Sequence, residues 1–458
     1  MHLSRRDFAK HALAAGGSAA LGCAKRIPPS TPIPPPSYPD LPDPSSCGIE
    51  HVVVITMENR SFDHLLGWLP NADGRQAGLS FVDKSGHAQS THSLSGDFTG
   101  CPHPDPDHSY AASRVAYNGG KMDGFLRAGS NDVYSIGYYE EKDIPFYAAL
   151  ARNYTTCDRY FASILGPTFP NRMFLYAAQT DRTTDSVVFS SLPTIFDRLA
   201  AAKVSHNYFY SNVPYLALWG IRYLRISKLH EDFLEQAGKS TLPAVSFVDP
   251  RYTILDDGTG NDDHPHADIR EGDRFLYDMF EAIASGPAWS KTVVVINFDE
   301  WGGLFDHVAP PRAAAANTVD TDIVDGKTLL GLRVPVVIAS PFSRGEAQNP
   351  RISSLVYDHT SVLKLIEWRW GLAPLTPRDG SSDVHNLAYA LDFKRPQIGV
   401  PDLPRPDAPL IATPCLENVV GVFRSADAGG AGETSSASRA AKWNDLHGKA
   451  AKYGFKVK

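Results

Sequence analysis

An α/β architecture built around a mostly parallel sheet follows from two stretches of this 458-residue chain and from what separates them. His51-Val-Val-Val-Ile-Thr-Met57 and Thr292-Val-Val-Val-Ile-Asn-Phe298 are unbroken runs of apolar and β-branched residues. Such runs read as strands covered on both faces. Further strand-like runs alternate with helical periodicities between and after them, which calls for a sheet with helices on both sides.

The elements follow in chain order. Ser4-Arg5-Arg6-Asp7-Phe8-Ala9-Lys10 is a twin-arginine pattern and Ala12 to Leu21 a short, weakly apolar stretch. Residues 1–22 therefore read as an export address that stands outside the fold, the alternative being a plain basic tail. Ala20-Leu21-Gly22-Cys23 resembles a lipobox, except that Ala20 stands where such boxes usually carry Leu. Lipidation at Cys23 would tether the protein to a membrane surface. Periplasmic, secreted and membrane-anchored destinations all remain open. Residues 23–46 are Pro-rich and read as a semi-rigid spacer.

The globular body is expected over 47–424. Ser61 to Trp68 opens a helix, and Asp143–Tyr154, Thr194–Ala202, Arg270–Ser285 and Thr360–Trp370 carry helical patterns. Leu242–Val248 and Val334–Ser340 read as buried strands, and Asp158–Ser163 as a short strand or the approach to one. Residues 70–140, rich in Gly, Pro, Asp, His and Ser, read as long loops with a function. Residues 425–458 read as an Ala/Gly/Ser-rich and then basic tail, with a short basic helix or disorder as the alternatives for Arg439 to Lys458. No stretch after the address has the apolar length of a membrane-spanning helix.

Composition removes several classes of function. A hydrophobic content of 43% suits a sizeable core, and a net charge of −7 without a long basic run excludes a surface that tracks nucleic acid. No Gly-x-Ser-x-Gly elbow occurs, which argues against a serine hydrolase. Beyond Cys23, the cysteines Cys47, Cys101, Cys157 and Cys415 allow three disulfide pairings, and none has the close spacing of a zinc site. Oligomeric state is not legible.

The chemistry gathers where the two long strands end. One runs into Glu58-Asn59 and the other into Asp299-Glu300. A buried carboxylate is costly unless compensated, and ligands bind open α/β sheets at such rims. Glu58, Asn59, Asp299 and Glu300 are therefore read as oxygen ligands of one divalent metal ion. Hard oxygen donors suit Ca²⁺, Mg²⁺ or Mn²⁺, and carboxylate sites also take Zn²⁺ or iron. The bland alternative pairs Glu58 and Glu300 with Arg60, Arg159 or Arg172.

Gly166-Pro167-Thr168-Phe169-Pro170 sets Thr168 at the mouth of a helix, where backbone N–H groups favour a phosphate. If its oxygen also bound the metal it would become a nucleophile; plain N-capping is the competing role. His108 and His264 stand among carboxylates and turn residues, and His307 follows the second acidic pair closely. All three are candidate proton donors, each with surface hydrogen bonding as the alternative. His266 and His359 read as structural. Tyr134, Tyr138, Tyr139, Tyr208, Phe209 and Tyr210 could form a cage for a quaternary ammonium group, although such clusters are commonly core.

Together, Glu58-Asn59-Arg60-Ser61-Phe62-Asp63, Asp105-Pro106-Asp107-His108, Gly166-Pro167-Thr168, Asp262-Asp263-His264-Pro265 and Asp299-Glu300-Trp301-Gly302-Gly303 with Asp306-His307-Val308 resemble the bacterial phosphoesterase family. That family holds phospholipases C and acid phosphatases within the alkaline-phosphatase-like superfamily. Asn118-Gly-Gly-Lys-Met-Asp-Gly124 and Tyr357-Asp-His-Thr-Ser361 fit as well, and the likeness runs from about Ile49 to about residue 375. It implies an alkaline-phosphatase-like fold and a metal held by Glu58, Asn59, Thr168, Asp299 and Glu300. It further implies attack by Thr168 on phosphorus to give a phospho-threonine, with His108 and His264 as the family's histidines. The substrate would be a phospholipid or a small phosphate ester. Leu304 and Ala309 depart from the family's usual aromatic and Pro, and the phosphocholine-hydrolysing members' extra C-terminal β domains are missing, so head-group preference stays open. A surface lipoprotein that binds metal or phosphate without turnover is the alternative of another class.

Overall fold

The structure, a computed structural model, describes residues 40–253, 259–407, 415 and 436–458. The export address, Cys23 and the spacer up to residue 39 lie outside the described residues, as does the Ala/Gly/Ser-rich stretch before residue 436.

Eight strands form one sheet. In spatial order they are Arg351–Ser353, Thr155–Cys157, Val336–Ala339, Thr292–Phe298, His51–Met57, Val245–Val248, His206–Tyr210 and Ser227–Leu229. Val336–Ala339 runs against its two neighbours, and the other pairings are parallel. Every residue of Thr292–Phe298 is buried. Successive side chains point to opposite faces, so both faces of the sheet are covered at that strand. Pro145–Asn153 packs on Ile269–Ala284, which also meets His230–Gly238, and Thr168–Ala177 packs on His359–Trp370. This is the expected α/β architecture.

Register is what matters for the site. His51–Met57 pairs residue for residue with Thr292–Phe298, so that Met57 lies opposite Phe298 and Glu58 leaves the sheet beside Asp299. On the other flank Ile55 lies opposite Val248, and Asp249 leaves there.

Several expectations need correction. Asp158–Ser163 is not the strand; Thr155–Cys157 is, and the Asp158 carboxylate just beyond it accepts the Asp73 N–H at 2.9 Å. His206–Tyr210, Ser227–Leu229 and Arg351–Ser353 went unforeseen because they are short and partly polar, as strands near sheet edges are. At the C-terminus, the helix weighed against disorder for Arg439 to Lys458 is the one that forms, and it packs on the core. Asp40–Lys458 is one compact unit, and Ser436–Lys452 is a helix whose Trp443, Leu446 and Ala450 are buried in the core. A Cys101–Cys415 disulfide, with Cα atoms 5.2 Å apart, ties the chain ahead of that helix to the 100s loop. Cys47 and Cys157 are buried free thiols.

One buried carboxyl in a helix contact titrates in a measurable range. Asp273 accepts the N–H groups of Phe146 and Tyr147 at 2.9 and 2.7 Å and so caps Pro145–Asn153. Burial nevertheless pushes it from 3.8 up to about 7. Between those values the folded state holds a proton that the unfolded chain has released. Stability is therefore full below the unfolded value and is lost as pH rises through about 7. Urea melts from pH 4 to 7 should show wild type losing about 1.4 kcal/mol per pH unit more than Asp273→Asn; parallel curves would contradict this.

Candidate active site

The exit of the first strand is a tight bend. Asn59 has φ +52°, and its carbonyl lies where a Cβ on Gly302 would be, at 2.1 Å. Only glycine permits that approach, and Gly302 itself has φ +64°. The two strand ends are then stitched together. Asp299 Oδ1 accepts the N–H of Asn59 at 3.1 Å and that of Glu300 at 2.8 Å. Glu300 Oε2 accepts the Gly302 N–H at 2.8 Å. His359 Nε2 donates to the Asp299 carbonyl at 2.6 Å, and burial keeps that imidazole below its usual pKa.

Thr168 opens the helix Thr168–Ala177. Its Oγ1 donates to Asn59 Oδ1 at 3.3 Å. The approach to it is shaped by Asn171, whose Nδ2 donates to the carbonyls of Gly166 and Pro167 while its Oδ1 accepts the N–H groups of Ser163 and Ile164. Five expected ligands thus meet at the sheet rim, and all are buried.

Arg172, one turn beyond Thr168 on the same helix face, joins two of them, Glu58 and Asp299, to Asp249. It is fully buried. Nε donates to Glu58 Oε1 at 3.0 Å and to Asp299 Oδ2 at 3.1 Å, and Nη1 to Asp249 Oδ1 at 2.9 Å. Nη2 reaches the Thr56 carbonyl at 3.2 Å. The ion pair raised as the bland role of Glu58 therefore exists, with Arg172. Glu300 pairs with none of the arginines considered: Arg60 bonds the Asp263 carbonyl and His64, and Arg159 faces Asp73. Neither Arg172 as the link between these acids nor Asp249 was singled out beforehand. Asp249 had the same signature as the other acids, since it closes the run Val245-Ser-Phe-Val248.

His108 and His264 arrive from loops, with ring centroids 5.6 Å apart. Each directs Nδ1 at a backbone carbonyl 2.8 Å away, Pro106 and Pro265 respectively. A carbonyl only accepts, so Nδ1 carries hydrogen and Nε2 faces inward. His108 Nε2 lies 3.7 Å from Glu300 Oε1 and 3.5 Å from Asn59 Nδ2. Asp105, His108 and His264 form one of two groups of acidic and imidazole ligands close enough to hold an ion among the described residues.

His307 belongs to the other group, with Asp63 and Asp306. Its Nδ1 bonds Asp63 at 2.6 Å and its Nε2 bonds Asp73 at 3.1 Å, while Arg333 spans Asp63 and Asp306. Both ring nitrogens are committed to this network, and no contact carries His307 to Thr168 or Glu300. Proximity in sequence to Asp299-Glu300 misled, because the turn at Gly302-Gly303 sends the chain back toward Asp63. The proposed aromatic cage does not form: Tyr134, Tyr139, Tyr208, Phe209 and Tyr210 are buried core residues, and Tyr138 packs half-buried against a separate apolar cluster.

The rim oxygens are donors of the kind a divalent cation takes, although Glu58, Asp299 and Glu300 are not among the groups of described residues whose ligand atoms already lie within 4.8 Å of one another. Glu300 Oε1 is buried without a hydrogen bond. Burial and then the charge of Asp299 push its carboxyl well above the usual range. Three further carboxylates already share one guanidinium, so a cation beside Asn59 Oδ1, Thr168 Oγ1, Asp299 and Glu300 would let Glu300 ionise.

Residues 49–373 match the Phosphoesterase family model. Non-specific phospholipase C6 of Arabidopsis thaliana is 33% identical over 72% of this chain and 70% of that protein. Phospholipase C A of Mycobacterium tuberculosis is 31% identical over 91% of each. A solved structure of a protein in the alkaline phosphatase superfamily from Vibrio parahaemolyticus overlays at a TM-score of 0.37 and 10% identity, covering 74% of this chain and 69% of that one. The motifs, the rim they build and the family match together make this chain a member of the phosphoesterase family, a hydrolase acting on phosphoric ester bonds.

Proposed function

We propose that the protein is an exported, metal-dependent phosphoesterase of the phospholipase C type that works through a phospho-threonine. The observation that carries this reading is the meeting of Thr168 Oγ1 with Asn59 at the rim where Asp299 and Glu300 emerge. When bound, a divalent cation would lower the pKa of the Thr168 hydroxyl and offset charge on the phosphoryl oxygens.

The chain's own groups do the rest. Thr168 Oγ1, its hydroxyl proton first released to solvent, forms the new bond to phosphorus as the bond to the leaving alcohol breaks. His108 or His264, protonated on both ring nitrogens with Nε2 inward, gives that alcohol its proton from Nε2. Water then attacks the phospho-threonine, the bond from phosphorus to Thr168 Oγ1 breaks, and the same imidazole takes up the water's proton. Arg172 holds the carboxylates of Glu58 and Asp299 in place and has no contact with the Thr168 oxygen.

Relatives named phospholipase C in a plant and in a mycobacterium support a phospholipid substrate. A broader acid phosphatase or phosphodiesterase is the second reading, favoured by the burial of the aromatics that would have selected a choline head group. Export rests on Ser4-Arg5-Arg6-Asp7-Phe8, with the Cys101–Cys415 disulfide suiting an oxidising compartment. Lipidation at Cys23 would add a membrane tether.

Thr168→Ala should lower kcat on p-nitrophenyl phosphate and p-nitrophenylphosphorylcholine by about 10³-fold or more, and Thr168→Ser should keep measurable turnover. Full activity in Thr168→Ala would remove the nucleophile. Replacing Arg5 and Arg6 together by Lys should leave the protein in the cytoplasm on cell fractionation, and unaltered export of that variant would refute the twin-arginine address.

A further inference from the structure

We infer that Trp443 is a positioning residue for the phosphoesterase reaction, acting on Arg172 through Tyr252. Trp443 lies on the C-terminal helix Ser436–Lys452, beyond the 49–373 span of the family match. It is only 2% exposed. Its indole stacks on the Tyr252 ring with centroids 4.3 Å apart and planes at 27°. The other side of that contact is the active site, for the Arg172 guanidinium stands over the Tyr252 ring, 5.0 Å from its centroid.

The geometry gives the stack a task. The N–H edges of Arg172 are committed to Glu58, Asp249 and Asp299. Those bonds fix the guanidinium in its plane, whereas tilt out of the plane is restrained by what lies on its face. Tyr252 supplies that face, and Trp443 backs Tyr252. A second contact points to the same place: Trp443 meets Phe169 edge-on, with centroids 5.3 Å apart, and Phe169 follows Thr168 directly. Phe169 is held in turn by Asp185, which accepts its N–H at 2.8 Å, and by Tyr215, whose hydroxyl donates to its carbonyl at 2.6 Å. The neighbouring Lys442 lines a small pocket with Ser109, Pro167 and Asp185, next in sequence to His108 and Thr168. A segment more than 60 residues past the family's shared core thus supports both Arg172 and the nucleophile's helix.

This inference rests on the phosphoesterase reading, and its test separates the two. Trp443→Ala should lower kcat on p-nitrophenyl phosphate about 10- to 100-fold with KM within about twofold, the scale of a misplaced catalytic group. Trp443→Phe, which keeps a ring, should restore most of kcat, and Trp443→Leu, which keeps bulk without a ring face, should not. Leu446→Ala removes an equally buried side chain from the same helix; it should lower stability comparably and leave kcat unchanged. Wild-type kcat in Trp443→Ala or Trp443→Leu, or a parallel loss in Leu446→Ala, would overturn the assignment. An activity-independent readout is the Arg172 Nε–H signal in isotope-labelled protein, assigned with Arg172→Lys. It should be sharp and slow to exchange in wild type and Trp443→Phe, and broadened in Trp443→Leu. An identical signal in all of them refutes the positioning role, whether or not the wild type turns over phosphate esters.

Discussion

A single buried guanidinium among too many carboxylates is the constraint from which the rest of this structure follows. Arg172 contacts Glu58, Asp249 and Asp299 in a region with almost no solvent. Removing one partner of such a cluster leaves an uncompensated buried charge, which costs several kcal/mol. The three acids come from three adjacent strands, and the sheet register brings their exits together. Glu300 is the acid that the guanidinium does not reach, and burial first, then the charge of Asp299, hold its carboxyl well above the usual range. The proposed cation would offset that charge.

The loops around the rim are held by ion pairs of their own. Arg333 joins Asp63 to Asp306 and also bonds the carbonyls of Asp73 and Asp158. It thereby locks the segment after Glu58-Asn59 against the segment after Asp299-Glu300. Burial pushes Asp306 up to about 6 even beside that guanidinium, which marks how dry the network is. Arg378 does similar service before Thr168, reaching the Ser163 carbonyl and Asp358 at 3.0 Å each. The histidine His307 belongs to this scaffolding, with both ring nitrogens spent on aspartates.

The long strands and the acids at their ends were legible in the sequence because complete burial leaves a continuous apolar run with an abrupt polar stop. Thr168 was legible through the Gly-Pro before it. Asp249 carried the same signal in a shorter run and was passed over. Arg172 was visible only as one of several arginines, since nothing local tells which buried acid an arginine will meet. The short strands at His206, Ser227 and Arg351 had too little length for a period to emerge. Trp443 was unreadable for a different reason: its partner Tyr252 lies almost two hundred residues away, and the intervening Ala/Gly/Ser-rich stretch suggested a tail.

The central claim is that separate stretches of chain converge on one cation with a threonine oxygen beside it. Anomalous diffraction from crystals soaked in Mn²⁺ tests it most directly. The account predicts a single strong peak within coordination distance, roughly 2–2.5 Å, of Asn59, Thr168, Asp299 and Glu300. A peak held instead by Asp63, Asp306 and His307, or by Asp105, His108 and His264 with the Thr168 rim bare, would contradict it.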